Sequence, residues 1–131
     1  MIVDLDKVYT IGHRGAEIGA VENSLTAFEL AITLKLDFAE LDIQTTKDGV
    51  PVVFHDEELS RKTSLKGKII DYTWDQLQKI QITTTAGSDK IPRLEDVFKR
   101  ISPTSLNLIL ELKAAQGFAR ILALIHEFQL E

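Results

Sequence analysis

In the stretch Phe38-Ala39-Glu40-Leu41-Asp42-Ile43, acids alternate with small and aliphatic residues, and no other segment narrows the choice of fold so far. Successive side chains of a strand point to opposite faces, so Glu40 and Asp42 share one face and Ala39, Leu41 and Ile43 the other. Asn107 to Lys113 repeats the pattern, with Leu108, Leu110 and Leu112 opposing Ile109, Glu111 and Lys113. Strands with one aliphatic side and one chemically active side fit a sheet whose outer face is covered by helices.

The segments between supply those helices. Val8 to Gly12 reads as a short strand ending in His13-Arg14-Gly15. Leu25, Phe28, Ile32 and Leu36 recur at helical spacing and predict a helix over roughly 24–35, with Asn23 or Ser24 as its N-cap. Phe38 to Thr45 is the second strand, Lys47-Asp48-Gly49 a turn, and Val50 to His55 a further β segment. From Glu57 to about Pro92 the chain is more polar and less regular. Within it, Thr73-Trp74-Asp75-Gln76 predicts a capping box opening a short helix to about Ile80, with Trp74 a core residue at its start. The Ser/Thr-rich stretches at 60–64 and 83–88 read as loop. Leu94, Val97, Phe98 and Ile101 suit another helix, stopped by Ser102-Pro103. Asn107 to Lys113 is the third main strand, and Phe118, Ile121, Leu122, Ile125 and Phe128 mark a final amphipathic helix. Strands alternating with helices imply parallel pairing in an α/β fold, and the two-faced strands point to a (β/α) barrel, whose active groups gather at the C-terminal strand ends.

Composition excludes several classes. With 131 residues, 44% apolar and 27% charged, the chain builds the core of one domain. A net charge of −5 with no basic block longer than a pair argues against nucleic acid as a partner. The absence of cysteine rules out disulfides and thiolate metal sites. Met1-Ile2-Val3 runs straight into Asp4, Asp6 and Lys7, unlike a signal peptide, and no apolar run approaches the ~20 residues that cross a bilayer. The expectation is a cytoplasmic protein without a membrane span.

Glu40, Asp42 and Glu111 offer anionic oxygens on one face of neighbouring strands, the donors that hard cations such as Mg²⁺ and Ca²⁺ prefer. The plain alternative is a solvated edge or an ion pair with a nearby lysine. Apolar flanks argue for acids inside the fold, where a metal or cationic neighbours must offset their burial. His13 and His55, each at a strand end, suit a pair that takes a proton from a nucleophile and returns one to a leaving oxygen. Arg14 and Lys113 can neutralise phosphate oxygens or hold Glu40 or Glu111 in an ion pair, and both roles can coexist. Asn23 either contacts ligand or caps its helix. His126, on the last helix, reads as a packed or surface residue without a part in the chemistry.

Taken in order, His13-Arg14-Gly15, Glu22-Asn23-Ser24 with Ala27-Phe28, Glu40-Leu41-Asp42-Ile43, Thr46-Lys47-Asp48-Gly49, Val52-Val53-Phe54-His55-Asp56 and Glu111-Leu112-Lys113 closely resemble the glycerophosphodiester phosphodiesterases. The resemblance spans essentially the whole chain. It implies a (β/α)8 TIM barrel that hydrolyses glycerophosphodiesters to glycerol 3-phosphate and an alcohol with a divalent cation, Mg²⁺ or Ca²⁺. It assigns Glu40, Asp42 and Glu111 to the metal, His13 and His55 to acid–base catalysis, and Arg14 and Lys113 to the substrate phosphate, with Asn23 kept beside them as a candidate substrate contact. The irregular region, about 57–105, resembles a small insertion that shapes the glycerol pocket. Val21 stands where the family usually has proline. A complete barrel takes ~250 residues, so residues 1–131 correspond to about the first three βα units. An open sheet edge invites association, which adds two expectations: a homodimer, and, as an alternative function, a catalytically inactive domain that keeps the ion site and associates through that edge.

Overall fold

The computed structural model describes residues 3–131, so Met1 and Ile2, which open the leader-free N-terminal reading, lie outside the described residues. Its main sheet has four strands, β1 (Ile11–Gly12), β2 (Phe38–Thr45), β3 (Pro51–Val53) and β6 (Asn107–Leu112). β2 is the hub. Phe38 pairs with both Ile11 and Asn107, and Ile43 with both Val53 and Leu112. One edge of β2 is therefore shared by β1 and β3, and the other is taken by β6. The β1 and β6 pairings are parallel, as the strand–helix alternation predicts, and β3 returns antiparallel after the turn at Asp48-Gly49.

Helices α1 (Leu25–Thr33), α3 (Leu94–Ile101) and α4 (Phe118–Glu127) lie on one face of this sheet. Phe28 and Ala31 of α1, Leu94, Val97, Phe98 and Ile101 of α3, and Ile121 and Leu124 of α4 pack with Ala39, Leu41 and Ile43 of β2 in one core. Each such large side chain contributes about 1.5–3 kcal/mol by leaving water. The aliphatic half of β2 thus meets the helices, and its acids are left to the opposite face. Ser24 is the N-cap of α1, its hydroxyl accepting from the Ala27 N–H, so Asn23 is free of capping.

Between β3 and α3 the chain makes its excursion. Leu59, Ile69, Leu77, Ile82 and Ile91 gather with Val21, Val52 and Phe54 into a second, smaller core. Two 3₁₀ turns (Leu59–Arg61, Ile69–Asp71), helix α2 (Trp74–Leu77) and a hairpin of β4 (Ile82–Thr84) and β5 (Gly87–Asp89) build it. The expected capping box is present, with Thr73 and Gln76 exchanging side-chain and backbone bonds, and Trp74 is half-buried at the first helical position. The 83–88 stretch, expected as loop, is instead the hairpin, anchored by buried Ile82. The excursion closes at its base, where the Val53 N–H donates to Pro92 O and Val52 bridges Arg93. α3 then packs with the main core rather than with the excursion.

β1 is shorter than the Val8–Gly12 expectation. It pairs with β2 at two positions only, and Val8 lies exposed outside it. Among the described residues, no helix is long and apolar enough to cross a membrane.

Candidate active site

The parallel register sets Glu111 of β6 directly beside Asp42 of β2, and Glu40 follows two residues back on the same face. One carboxylate oxygen from each of the three lies within 4.8 Å of the others. Their exposure differs sharply. Asp42 is buried and Glu40 nearly so, but the Glu111 side chain is 56% exposed. The expectation that all three acids sit inside the fold fails for Glu111, because among the described residues β6 has no strand beyond it to cover that side.

The loop after β1 wraps the first acid. Arg14 adopts a left-handed φ of 50° and its N–H donates to Glu40 Oε2 at 3.0 Å, while the Gly15 N–H donates to Glu40 O. Gly15, at φ 83°, needs its glycine: a Cβ there would collide with Ala27 of α1. Burial pushes the Glu40 carboxyl above its ordinary value; the Arg14 N–H opposes this, and the Asp42 and Glu111 charges reinforce it. Asp42 goes the other way. Its burial also favours the neutral acid, but the Asn23 amide and the Lys113 ammonium prevail and hold it below the usual range.

Asn23 is fully buried at φ 57°, and its Nδ2 donates to Asp42 Oδ2 at 2.9 Å. It serves the acid, in place of the cap that Ser24 supplies. Lys113 Nζ sits 2.7 Å from Glu111 Oε1 and 3.0 Å from Asp42 Oδ1, without hydrogen-bond angles to the latter oxygen. Asp42 Oδ1 is therefore a buried anionic oxygen whose charge is met by the Lys113 ammonium. That is an environment a divalent ion fits: three carboxylate donors and an ammonium already marking where positive charge is wanted.

Both imidazoles are anchored through Nδ1 to a carboxylate, His13 to Glu17 at 2.7 Å and His55 to Asp56 at 2.8 Å. An ionised carboxylate only accepts, so Nδ1 carries the hydrogen and a neutral ring keeps its lone pair on Nε2. His13 Nε2 lies 4.0 Å from Glu40 Oε2. His55 follows β3 and is held there by Gln44, whose Nε2 donates to the carbonyls of Phe54 and Asp56. His55 and Lys113 line a cavity of about 520 Å³ with Gln44, Thr45, Glu57 and Lys68. A larger hollow of about 760 Å³ is lined by excursion residues alone, Arg61, Lys62, Lys79 and Lys90 among them, and contains neither histidine.

Arg14 is mostly occupied by acids: its Nη1 donates to Glu22 Oε2, and its Nε lies 3.7 Å from Asp42 Oδ2. Glu22 also pairs with Lys62, which reaches Asp56 Oδ1 at 3.0 Å. Burial opposes the charge of Glu22 and of Asp56, yet their partners hold both carboxyls below the ordinary range, Lys62 and Arg14 for Glu22 and His55 and Lys62 for Asp56. Glu17, Gln44 and Lys62 are the members that sequence reasoning missed. Of the packed and surface readings of His126, the structure shows the surface one: it is exposed on α4.

Residues 13–119 match the model of the glycerophosphoryl diester phosphodiesterase family. The Bacillus subtilis protein YhdW is 41% identical over 110 residues, 81% of this chain and 45% of that one. A glycerophosphodiester phosphodiesterase of Bacillus altitudinis is 40% identical over 106 residues, 77% of this chain and 43% of the relative. Among solved structures, an Oleispira antarctica phosphodiesterase in complex with the product sn-glycerol-3-phosphate superposes with a TM-score of 0.79 at 30% identity, over 92% of this chain and 53% of the other. The chain thus spans about half the length of the curated relatives it matches. These relatives lend no support to a catalytically inactive chain.

Proposed function

The chain belongs to the glycerophosphoryl diester phosphodiesterase family, and we propose that it carries out metal-dependent hydrolysis of glycerophosphodiesters to glycerol 3-phosphate and an alcohol. One observation carries the reading: three carboxylates from two strands meet within 4.8 Å, with the His13 ring at their edge. In this reading β1–α1, β2–α3 and β6–α4 are the first three units of a (β/α)8 barrel, and the excursion within 57–105 is its insertion.

Glu40, Asp42 and Glu111 hold the divalent cation, Mg²⁺ or Ca²⁺. When bound, the ion supplies the charge that polarises the phosphodiester. His13 and His55, with Nδ1 fixed by Glu17 and Asp56, present Nε2 to the reaction. One ring accepts the proton of the attacking group and the other delivers a proton to the departing oxygen. Arg14 and Lys113 meet the phosphate oxygens. Asn23 aims the Asp42 carboxylate.

The test pairs calorimetric titration of Mg²⁺ and Ca²⁺ with hydrolysis of glycerophosphocholine, on one sample whose mass is read by light scattering. Expected are cation binding that Asp42→Asn abolishes and hydrolysis that a chelator stops. The mass shows whether the active species is one chain or a homodimer. Saturating cation with no hydrolysis at either mass overturns the reading.

A further inference from the structure

We infer that Lys62 is a positioning residue for this site, tying the Arg14 arm and the His55 imidazole to one ammonium. The inference rests on the hydrolase reading for what His55 does, and on geometry for the rest.

Five side chains form an unbroken line of alternating charge: Arg14 donates to Glu22, Glu22 pairs with Lys62, Lys62 with Asp56, and Asp56 with His55. Lys62 is central and only 16% exposed, and both its carboxylate partners are less exposed still. Surface ion pairs contribute little, but a partly buried one leaves an uncompensated charge when a member is removed. The two ends matter most. Arg14 also faces Asp42, and His55 lines the cavity beside Lys113.

The Asp56 end is the informative one. Lys62 and His55 both address Oδ1, whereas Oδ2 is buried without a hydrogen bond, 3.9 Å from Arg61. One oxygen divides its charge between ammonium and imidazole. Removing the ammonium commits Asp56 wholly to the ring, which favours the imidazolium. Removing Glu22 commits Lys62 wholly to Asp56, which disfavours it. The two lesions must therefore displace His55 in opposite directions, a signature that general loosening of the fold does not produce. Other charges facing the ring belong to Glu57, Lys68 and Lys113 around the cavity and to Asp42, and neither lesion removes them.

The line also explains how the excursion is tied to the sheet. Lys62 follows the first 3₁₀ turn of the excursion, and its head group reaches the two loops that carry the site.

The experiment is a nitrogen-resolved NMR titration of the histidine rings of the full chain in chelator. In Lys62→Met the His55 midpoint rises by about half to one pH unit; in Glu22→Gln it falls; in Lys62→Arg it stays with the wild type. His13, anchored to Glu17, does not move in any of them. A His55 midpoint unchanged in Lys62→Met overturns the inference. Should that variant not fold, a His55 midpoint in Glu22→Gln that is unchanged or raised overturns it equally. NMR needs no turnover, so the two readings fail separately: opposed shifts in a chain without diesterase activity keep the network and sink the hydrolase, and an active chain with an unmoved His55 does the reverse.

Discussion

Replacing Asn23 by alanine tests the scaffold of the acid cluster most directly. The side chain is fully buried, its amide donates to Asp42 at 2.9 Å, and its backbone sits at φ 57°. Losing a hydrogen bond to a charged acceptor costs about 1.5–3 kcal/mol. Asparagine tolerates the left-handed region, whereas alanine there costs a further 1 kcal/mol or so. The expected loss for Asn23→Ala is thus about 3 kcal/mol, which at this chain length lowers Tm by roughly 12 °C. Asn23→Gly separates the two contributions, because glycine accepts the same φ without penalty; it should lose about 2 kcal/mol. Chemical unfolding in chelator reads both. Calorimetry with Ca²⁺ on the same variants should show affinity falling about 10–100-fold in each, since either change deprives Asp42 of the group that aims it. Equal stability of the alanine and glycine variants refutes the backbone argument. Unchanged cation affinity refutes the claim that Asn23 orients Asp42.

Other expectations follow from the same geometry. His13→Ala and His55→Ala should each lower turnover by about 10²–10⁴-fold, and His13→Ala should leave the thermal midpoint unmoved because its ring is mostly exposed; wild-type turnover in both variants refutes the assigned pair. In chelator, Asp42, Glu22 and Asp56, held below the usual carboxylate range, stabilise the fold above that range, and unfolding midpoints should drop as pH falls through it and below. Glu40, raised by burial, has the opposite sign: its charge destabilises the metal-free fold at neutral pH, so Glu40→Gln should raise the neutral midpoint and leave the acid limb in place. Leu41→Ala, fully buried against the helices, should cost about 2–5 kcal/mol by urea unfolding.

Periodicity made the frame of this molecule legible. β2 and the helical apolar stripes repeat their signal over several residues, so each was readable from neighbours alone. The Glu40–Asp42 pair inherits its common face from the same period. Glu111 could be assigned to the correct face but not to its exposure, since that depends on what lies beyond β6, a fact about the sheet and not about the strand. The excursion was harder. Its core joins Val21 to residues as distant as Ile91, and its hairpin is held by one buried isoleucine among threonines that carry no strand alternation of their own.

The ion line from Arg14 to His55 marks where local reading stops. Glu22 and Asp56 lie in blocks that draw the eye, but Lys62 stands between Arg61 and Thr63 in a stretch rich in small polar residues, where a lysine ordinarily belongs to solvent. What sets it apart is the demand made on it by two acids from other segments, each nearly buried and both within reach of its ammonium. The demand itself is general: buried acids near an imidazole must find positive charge. Which of fifteen basic residues answers it is decided by the path of the chain through the second core. A residue of this kind is found by asking which charges are left unpaired once the readable ones are placed, and here that question leads to a lysine that joins the excursion to both site loops.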